Sequence, residues 1–335
     1  MLSKAPRGTK DITPKDVYKW HYIEKKFREI CALYGYEEIR TPIFEHTEVF
    51  SRSVGDTTDV VQKEMYTFTD RGDRQLSLKP EGTAGVIRSF IENKMYADTQ
   101  PTKLYYITPC FRYERPQAGR QRQFHQFGIE VLGSDGPSVD AEVISLAVQF
   151  FNEMGLNNLS VNINSVGCPT CREEYNRKLK EYLDQKVDVL CETCLERKDK
   201  NPMRVIDCKN PHCKENLQDI PFMIDHLCED CKDHFDKLQT YLKEMDINYV
   251  VDKTIVRGLD YYKKTAFEII SNDIGSQSTV CGGGRYDGLV EMLGGPKGIS
   301  GIGFALGAER LLLTLENNNI EIENPKSTDI YIATI

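Results

Sequence analysis

Four arginines, Arg112, Arg115, Arg120 and Arg122, crowd into the thirteen residues from Phe111 to Gln123, and a single carboxylate, Glu114, lies among them. An aromatic-amide run, Gln123-Phe124-His125-Gln126, follows, and Glu130 comes shortly after. A guanidinium is always charged and forks onto two phosphate oxygens at once, so this arrangement is suited to holding a polyphosphate. A solvated charged loop is the bland alternative. The one-sided sign of the run and its aromatic border favour the phosphate. The flanks, Leu104-Tyr-Tyr-Ile-Thr and Phe127-Gly-Ile-Glu-Val-Leu-Gly, are rich in aromatic and β-branched residues. They predict two strands of an antiparallel hairpin that carries the arginines on its loop and strand ends.

Three further segments carry polar groups at turn-like positions. Leu78-Lys79-Pro80-Glu81-Gly82-Thr83 ends a strand and opens a helix. Glu81 and Thr83 could grip an ammonium group there, or could equally cap the helix backbone. Val256-Arg257-Gly258-Leu259-Asp260-Tyr261-Tyr262 gathers an arginine, an acid and two tyrosines, and Gly282-Gly-Gly-Arg285-Tyr286-Asp287-Gly288 adds a glycine turn and another tyrosine. Gly301-Ile-Gly303-Phe-Ala-Leu-Gly307-Ala-Glu309-Arg310 is expected to open a helix whose arginine faces a bound anion. A dinucleotide fingerprint fits these glycines poorly, because Leu293-Gly-Gly-Pro-Lys-Gly before them is not a buried strand. His125 reads as a packing or structural hydrogen-bonding residue of the hairpin.

Eight of the eleven cysteines lie between positions 168 and 231, as Cys168/Cys171, Cys191/Cys194, Cys208/Cys213 and Cys228/Cys231. Close pairs of thiolates are tetrahedral-ion ligands, and two pairs complete a Cys₄ zinc site. Nested pairing is favoured, with Cys168, Cys171, Cys228 and Cys231 at the base and the other four inside. Sequential pairing is the alternative. Either arrangement fills every coordination position, which makes the metal structural.

The elements that position these groups follow from apolar periodicity. Val17, Trp20, Ile23, Phe27, Ile30 and Cys31 recur at helical spacing after a Thr13-Pro14 start, and Gly35 ends the run. Strands are expected at 36–40, 66–68, 76–78, 159–164, 248–251 and 267–270, with helices at 84–94 and 138–154. Strands without regular helix alternation indicate an α+β domain with a mostly antiparallel sheet flanked by helices. The expected division is 1–167 and 246–326 for a core interrupted by a helical, cysteine-rich insertion at 168–245. Residues 327–335 look like the start of a further domain. The insertion holds 14 Lys+Arg against 17 Asp+Glu, a net charge of −3, so it is no obvious RNA-binding face.

The whole chain, 335 residues with 40% apolar content, is large enough for a substantial core. Its net charge of −8 argues against long-range attraction to nucleic acid, so RNA contacts would rest on local basic patches. No signal-peptide pattern opens it and no apolar run is long enough to span a membrane, so a cytoplasmic protein is expected.

Taken together, the segments resemble the histidyl-tRNA synthetases, class II aminoacyl-tRNA synthetases, along nearly the whole length. Pro42 and its neighbours resemble the first class motif, Phe111 to Glu114 with the arginine loop the second, and Gly303 to Arg310 the third. Arg257 to Tyr262 and Gly283 to Leu289 resemble the two signatures peculiar to the histidine enzyme. The resemblance implies ATP with Mg²⁺, L-histidine and tRNA-His as partners, and a homodimer joined at the first motif. It implies ATP binding by Arg112, Glu114, Arg120, Phe124 and Arg310. Histidine binding would involve Glu81, Thr83, Gln126, Glu130, Arg257, Tyr261, Tyr262 and Tyr286, with Arg112 and Arg257 as the catalytic pair. Family members commonly lack the full cysteine set, and they normally continue into an anticodon-binding domain. The other function considered is a synthetase-like, histidine-binding regulatory subunit of ATP phosphoribosyltransferase. The complete arginine set argues against it.

Overall fold

The computed structural model describes residues 4–55, 58–256, 258–259, 261–271, 279–325 and 330–333. The chain begins with helix α1 (Val17–Leu33), strands β1 (Glu37–Glu38) and β2 (Phe44–His46), and helix α2 (Thr47–Val54). Strands β3 (Thr67–Thr69) and β4 (Gln75–Leu78) lead to α3 (Thr83–Glu92). The hairpin β5 (Thr102–Phe111) and β6 (Gln123–Leu132) is followed by α4 (Pro137–Glu153) and β7 (Ser160–Ser165). Four helices then form the cysteine-rich region: α5 (Pro169–Asp184), α6 (Glu192–Lys200), α7 (Pro211–Asn216) and α8 (Glu229–Glu244). The chain returns through β8 (Val250–Val251), β9 (Lys263–Ile270), β10 (Thr279–Arg285), α9 (Leu289–Met292), β11 (Gly301–Gly307) and α10 (Ala308–Asn317).

Eight strands form one sheet in the order β1-β5-β6-β11-β10-β9-β7-β8, antiparallel except for the edge pairs β1-β5 and β7-β8. A small antiparallel sheet, β2-β4-β3, stands beside it. This is the α+β architecture expected from the sequence. α1 buries Trp20, Ile23, Phe27, Ile30 and Cys31, its periodic apolar face. Phe27 meets Phe127 of β6 and Phe150 of α4 at ring distances of 5.2 and 5.3 Å. Truncating such a side chain to alanine costs about 3–5 kcal/mol.

Two expectations shift in detail. Helix α1 starts at Val17, because Thr13 first closes a turn in which its carbonyl accepts from the amides of Asp16 and Val17. The glycines at 282–284 and 301–303 lie inside adjacent strands, β10 and β11, and make no turn, while Gly307 ends β11 and is the N-cap of α10, the helix start expected of this segment. A Cβ on Gly283 would sit 2.3 Å from the carbonyl oxygen of Gly303, so glycine lets the backbones close up where a side chain would part them.

The cysteine-rich helices are not walled off. Tyr175, Leu179 and Leu183 of α5 share one apolar cluster with Phe90, Tyr261, Tyr262 and Tyr286. Phe235, Leu238 and Leu242 of α8 join the main core with α4.

Candidate active site and cysteine clusters

A cleft of about 210 Å³ opens on the face of the large sheet where β6, β11 and β10 run side by side. At one end stand Arg112, Arg120 and Arg310 with Phe124. Arg112 is fixed by donating from Nε to the carbonyl of Pro80 at 2.8 Å, and its guanidinium lies 5.4 Å from the centre of the Phe124 ring. Arg120 is paired with the buried carboxylate of Glu114, to which its Nη2 donates at 2.8 Å. Arg310, in the first turn of α10, donates to the carbonyls of Thr279 and Gly119 at 2.7 and 3.3 Å. Burial lowers the Arg310 pKa, and the charges of Arg120 and Arg112 lower it further. Like charges held this close are relieved by a multivalent anion.

The other end is sealed and built around Glu130, which is 1% exposed. Tyr286 donates to its Oε2 at 2.5 Å and Tyr106 to its Oε1 at 3.3 Å. Burial pushes the Glu130 carboxyl up to about 8 against the hydrogen bonds from Tyr286, Thr83 and Tyr106, and the charge of Glu81 adds to the rise. Tyr261 and Tyr262 close the wall, with ring centres 4.6 Å apart, and Tyr261 meets Tyr286 edge-on at 5.7 Å.

Between the two ends lie Glu81, Thr83 and Gln126. Glu81 accepts from the backbone amides of Thr83 and Ala84 at 2.6 and 2.8 Å, so it caps α3 while still lining the cleft. The helix-capping reading is thus observed, and the same carboxylate also faces the cleft. Gln126 accepts from the Gly82 amide at 3.0 Å, tying β6 to the start of that helix.

Of the residues singled out from sequence, Glu81, Thr83, Arg112, Glu114, Arg120, Phe124, Gln126, Glu130, Tyr261, Tyr262, Tyr286 and Arg310 all line this cleft. Arg257 lies outside the described residues, as does Asp260. His125 donates from its amide to Glu309 at 3.0 Å, places Nδ1 at 2.9 Å from the same carboxylate and packs edge-on against Trp20. These are the packing and hydrogen-bonding contacts expected of it from the sequence. The sequence reading missed Tyr106. It was hidden in the apolar run of β5, and the glycines at 82 and 128 were the available signal. A Cβ on either would lie 2.2 or 2.3 Å from its ring.

The eight clustered cysteines gather as Cys168, Cys171, Cys228 and Cys231 and, separately, as Cys191, Cys194, Cys208 and Cys213. This is the nested arrangement. Within each set all sulfurs lie within 4.8 Å of one another. The contacts Cys168–Cys171, Cys168–Cys228 and Cys191–Cys208 measure 3.6, 3.8 and 3.8 Å. A tetrahedral ion with Zn–S bonds of about 2.3 Å places its sulfurs about 3.8 Å apart. Cys168, Cys191 and Cys228 occupy the N-cap positions of α5, α6 and α8, where unpaired backbone amides favour thiolates. The amides of Cys228 and Cys191 donate to the sulfurs of Cys171 and Cys213 at 3.1 and 3.2 Å. Burial pushes the Cys168 thiol up, but hydrogen bonds from Cys171, Cys231 and Cys228 outweigh it and bring it down to about 6. The donor set and its spacing fit a closed, four-coordinate soft metal.

A central antiparallel sheet that carries convergent arginines beside a sealed polar pocket defines a catalytic domain of the class II synthetase type. The sequence profile described as "Histidyl-tRNA synthetase" matches residues 8–311. The chain is 81% identical to the histidine–tRNA ligase of Clostridioides difficile (strain 630) over all its 335 residues, which cover 80% of that relative. It is 59% identical to the ligase of Caldanaerobacter subterraneus subsp. tengcongensis, again over the full chain and 80% of the relative. The apo histidyl-tRNA synthetase of S. aureus superposes with a TM-score of 0.78 at 44% identity, covering 96% of this chain and 75% of that one. A Bacillus halodurans structure described as an ATP phosphoribosyltransferase regulatory subunit/histidyl-tRNA synthetase shares the fold at 22% identity and a TM-score of 0.64. The chain belongs to the histidyl-tRNA synthetase family, and its function is that of a histidine–tRNA ligase. Among the described residues, no helix is long and apolar enough to cross a membrane.

Proposed function

We propose that the cleft activates histidine with ATP and passes it to tRNA-His, with the arginine end holding the nucleotide and the Glu130 end the amino acid. The observation that carries this reading is the pairing of the two ends in one cleft. Three mutually repelling guanidiniums face a buried carboxylate ringed by tyrosines.

In this reading the adenine stacks on Phe124, Arg112 holds the α-phosphate, and Arg120 and Arg310 hold the phosphate tail. Glu114 keeps Arg120 aimed into the cleft through their ion pair. Glu81, Thr83 and Gln126 take the α-ammonium, and Glu130 with the tyrosine wall of Tyr261, Tyr262 and Tyr286 takes the imidazole. Arg257 is assigned from its motif alone to the carboxylate and the α-phosphate. A carboxylate oxygen of histidine bonds to the α-phosphorus as the bond to pyrophosphate breaks, giving histidyl-adenylate. A terminal ribose hydroxyl of the tRNA then attacks the carbonyl carbon and AMP leaves. The protein supplies position and fixed positive charge, and Mg²⁺ arriving with ATP shares the neutralisation. Selectivity follows because an analogue without the imidazole nitrogens leaves Glu130 and its hydroxyls with unpaired buried atoms.

The chain works as a cytoplasmic homodimer paired through the region around Pro42. Its core comprises 1–167 and 246–326, and 168–245 is the insertion. The two cysteine sets each hold a structural zinc ion. The deciding experiment is histidine-dependent exchange of pyrophosphate into ATP without tRNA. Exchange that collapses in Arg257→Ala supports the assignment. Folded protein that binds histidine but performs no exchange overturns it in favour of a regulatory subunit.

A further inference from the structure

The set Cys168, Cys171, Cys228 and Cys231 does more than close the base of the insertion. Strand β7 and the start of β9 are laced by hydrogen bonds from the Val166 amide to the Lys264 carbonyl at 2.8 Å and from the Lys264 amide to the Gly167 carbonyl at 2.9 Å. Cys168 follows at once and caps α5. Gly167 has no room for a side chain, since a Cβ there would lie 2.7 Å from the Met223 methyl and 3.0 Å from the Cys171 Cβ. The sulfur cluster is therefore packed directly against the end of the sheet.

Arg172, the residue after Cys171, lies in the same first turn, with its amide donating to the Cys168 carbonyl at 3.0 Å. Its Nε donates to the Val166 carbonyl at 2.9 Å, and its Nη2 donates to the carbonyl of Tyr262. One guanidinium thus bridges the end of β7 and the residue that leads into β9. Tyr262 is part of the wall of the cleft and packs at a tilt against Tyr261, which meets Tyr286 and through it Glu130. A continuous path of contacts runs from the sulfurs to the imidazole end of the site.

We infer that a zinc ion in this outer set fixes the first turn of α5 and thereby aims Arg172, which acts as a positioning residue for the tyrosine wall that receives histidine. The inference rests on the proposed assignments of the cleft and of the cysteines. Cys228 reaches the cluster from the start of α8, some 60 positions along the chain from Cys168. Four Zn–S bonds would lock α5 and α8 into one register at the point where Arg172 leaves the backbone. The ion takes no part in the chemistry; its effect is on histidine affinity and does not reach the nucleotide.

The test measures zinc per chain, histidine Kd and ATP Kd for the unaltered protein and for Arg172→Met, Cys228→Ser and the double variant. Arg172→Met is expected to retain two zinc ions and the ATP affinity while histidine Kd rises tenfold or more. Cys228→Ser is expected to lose one zinc and weaken histidine to a similar degree. The double variant should be no weaker than the weaker single, because both changes cut the same path. Histidine affinity within twofold of unaltered in Arg172→Met, with two zinc ions present, overturns the inference and leaves the cysteine assignment standing. Singles whose effects multiply also overturn it. Unaltered protein that binds histidine without zinc overturns the metal assignment and the inference together. If Cys228→Ser does not fold, the histidine and ATP affinities of Arg172→Met decide alone.

Discussion

Glu130 and Gly303 face each other across the β6–β11 ladder so closely that a Cβ on Gly303 would lie 2.0 Å from the Glu130 Oε2. The missing side chain of Gly303 is thus the space in which the buried Glu130 carboxylate sits. Gly303→Ala clashes both with that carboxylate and with the Ile129 carbonyl, 2.2 Å from the same point. Overpacking of this kind costs about 1–3 kcal/mol. The cleft thus keeps Glu130 in place by shape as well as by its two tyrosine donors.

Glu130 also sets a trade between stability and recognition. Its folded pKa, about 8, lies above that of an unfolded glutamate, so the folded state binds the extra proton between those values. Stability from this group is full below the unfolded pKa and is lost as pH rises through about 8. Glu130→Gln is therefore expected to melt near the unaltered protein at pH 5 and above it at pH 9. The difference should be on the order of a few kcal/mol. Histidine-dependent pyrophosphate exchange should fall at least a hundredfold in the same variant. Melting curves that stay parallel across this range would show that Glu130 does not carry the raised pKa.

The three guanidiniums supply a second expectation. Because Arg310 is depressed by burial and by Arg120 and Arg112, any polyanion that fills the space between them is stabilising. Pyrophosphate alone, without histidine or Mg²⁺, should raise Tm in proportion to the logarithm of its concentration. Arg310→Met should remove most of that rise. Sulfate at equal ionic strength provides the check on screening. An equal rise in variant and unaltered protein would place the anion elsewhere.

Metal content checks the cysteines directly. Two zinc ions per chain are expected by elemental analysis, each released by substitutions within one set only. Cys171→Ser should leave the inner ion and Cys194→Ser the outer. A structural zinc contributes folding free energy, so chelation should lower Tm by ten degrees or more and reduce helical signal from the 168–245 region. Cross-loss, in which Cys171→Ser releases the ion bound by Cys194, would contradict the nested arrangement.

How much of this was legible in the sequence depended on whether a residue announced itself locally. Arg112, Arg120 and Phe124 did, because sign and spacing single out the hairpin that lines the cleft. The cysteine pairs did too, since thiols three apart at a helix start have few other uses. Tyr106 did not, because a tyrosine in an apolar strand looks like core until Glu130 is seen to pair with it across β5 and β6. Gly283 signalled a turn, since glycine is the usual turn residue, and Gly303 signalled the opening of a helix. Their strand positions follow from close approach between backbones, a tertiary fact that no local pattern encodes. Arg285 was legible as part of a signature while its place was not.

That place is behind the sheet, and it leads to the last expectation. Arg285 is fully buried, donates to the carbonyls of Ser134 and Gly136 at 2.9 and 3.2 Å, and is paired with Asp140 and Asp287. Asp140 also accepts from Thr265 and contacts Nε2 of His234 at 2.8 Å, so one buried carboxylate joins α4, α8, β9 and β10. Burial raises the Asp140 carboxyl, but His234 and Arg285 outweigh it and hold it below the usual carboxylate range. Its contribution to stability is therefore present above the unfolded pKa and is lost as pH falls through the folded one. Removing one partner of a buried pair leaves the other charge uncompensated, at a cost of about 3–5 kcal/mol. Arg285→Met should accordingly be destabilised by that order and should unfold in acid at a higher pH. The fraction that remains folded should bind histidine within threefold of the unaltered protein, because Arg285 points away from the cleft that its neighbour Tyr286 lines. A large loss of histidine affinity with little loss of Tm would instead make Arg285 a substrate contact.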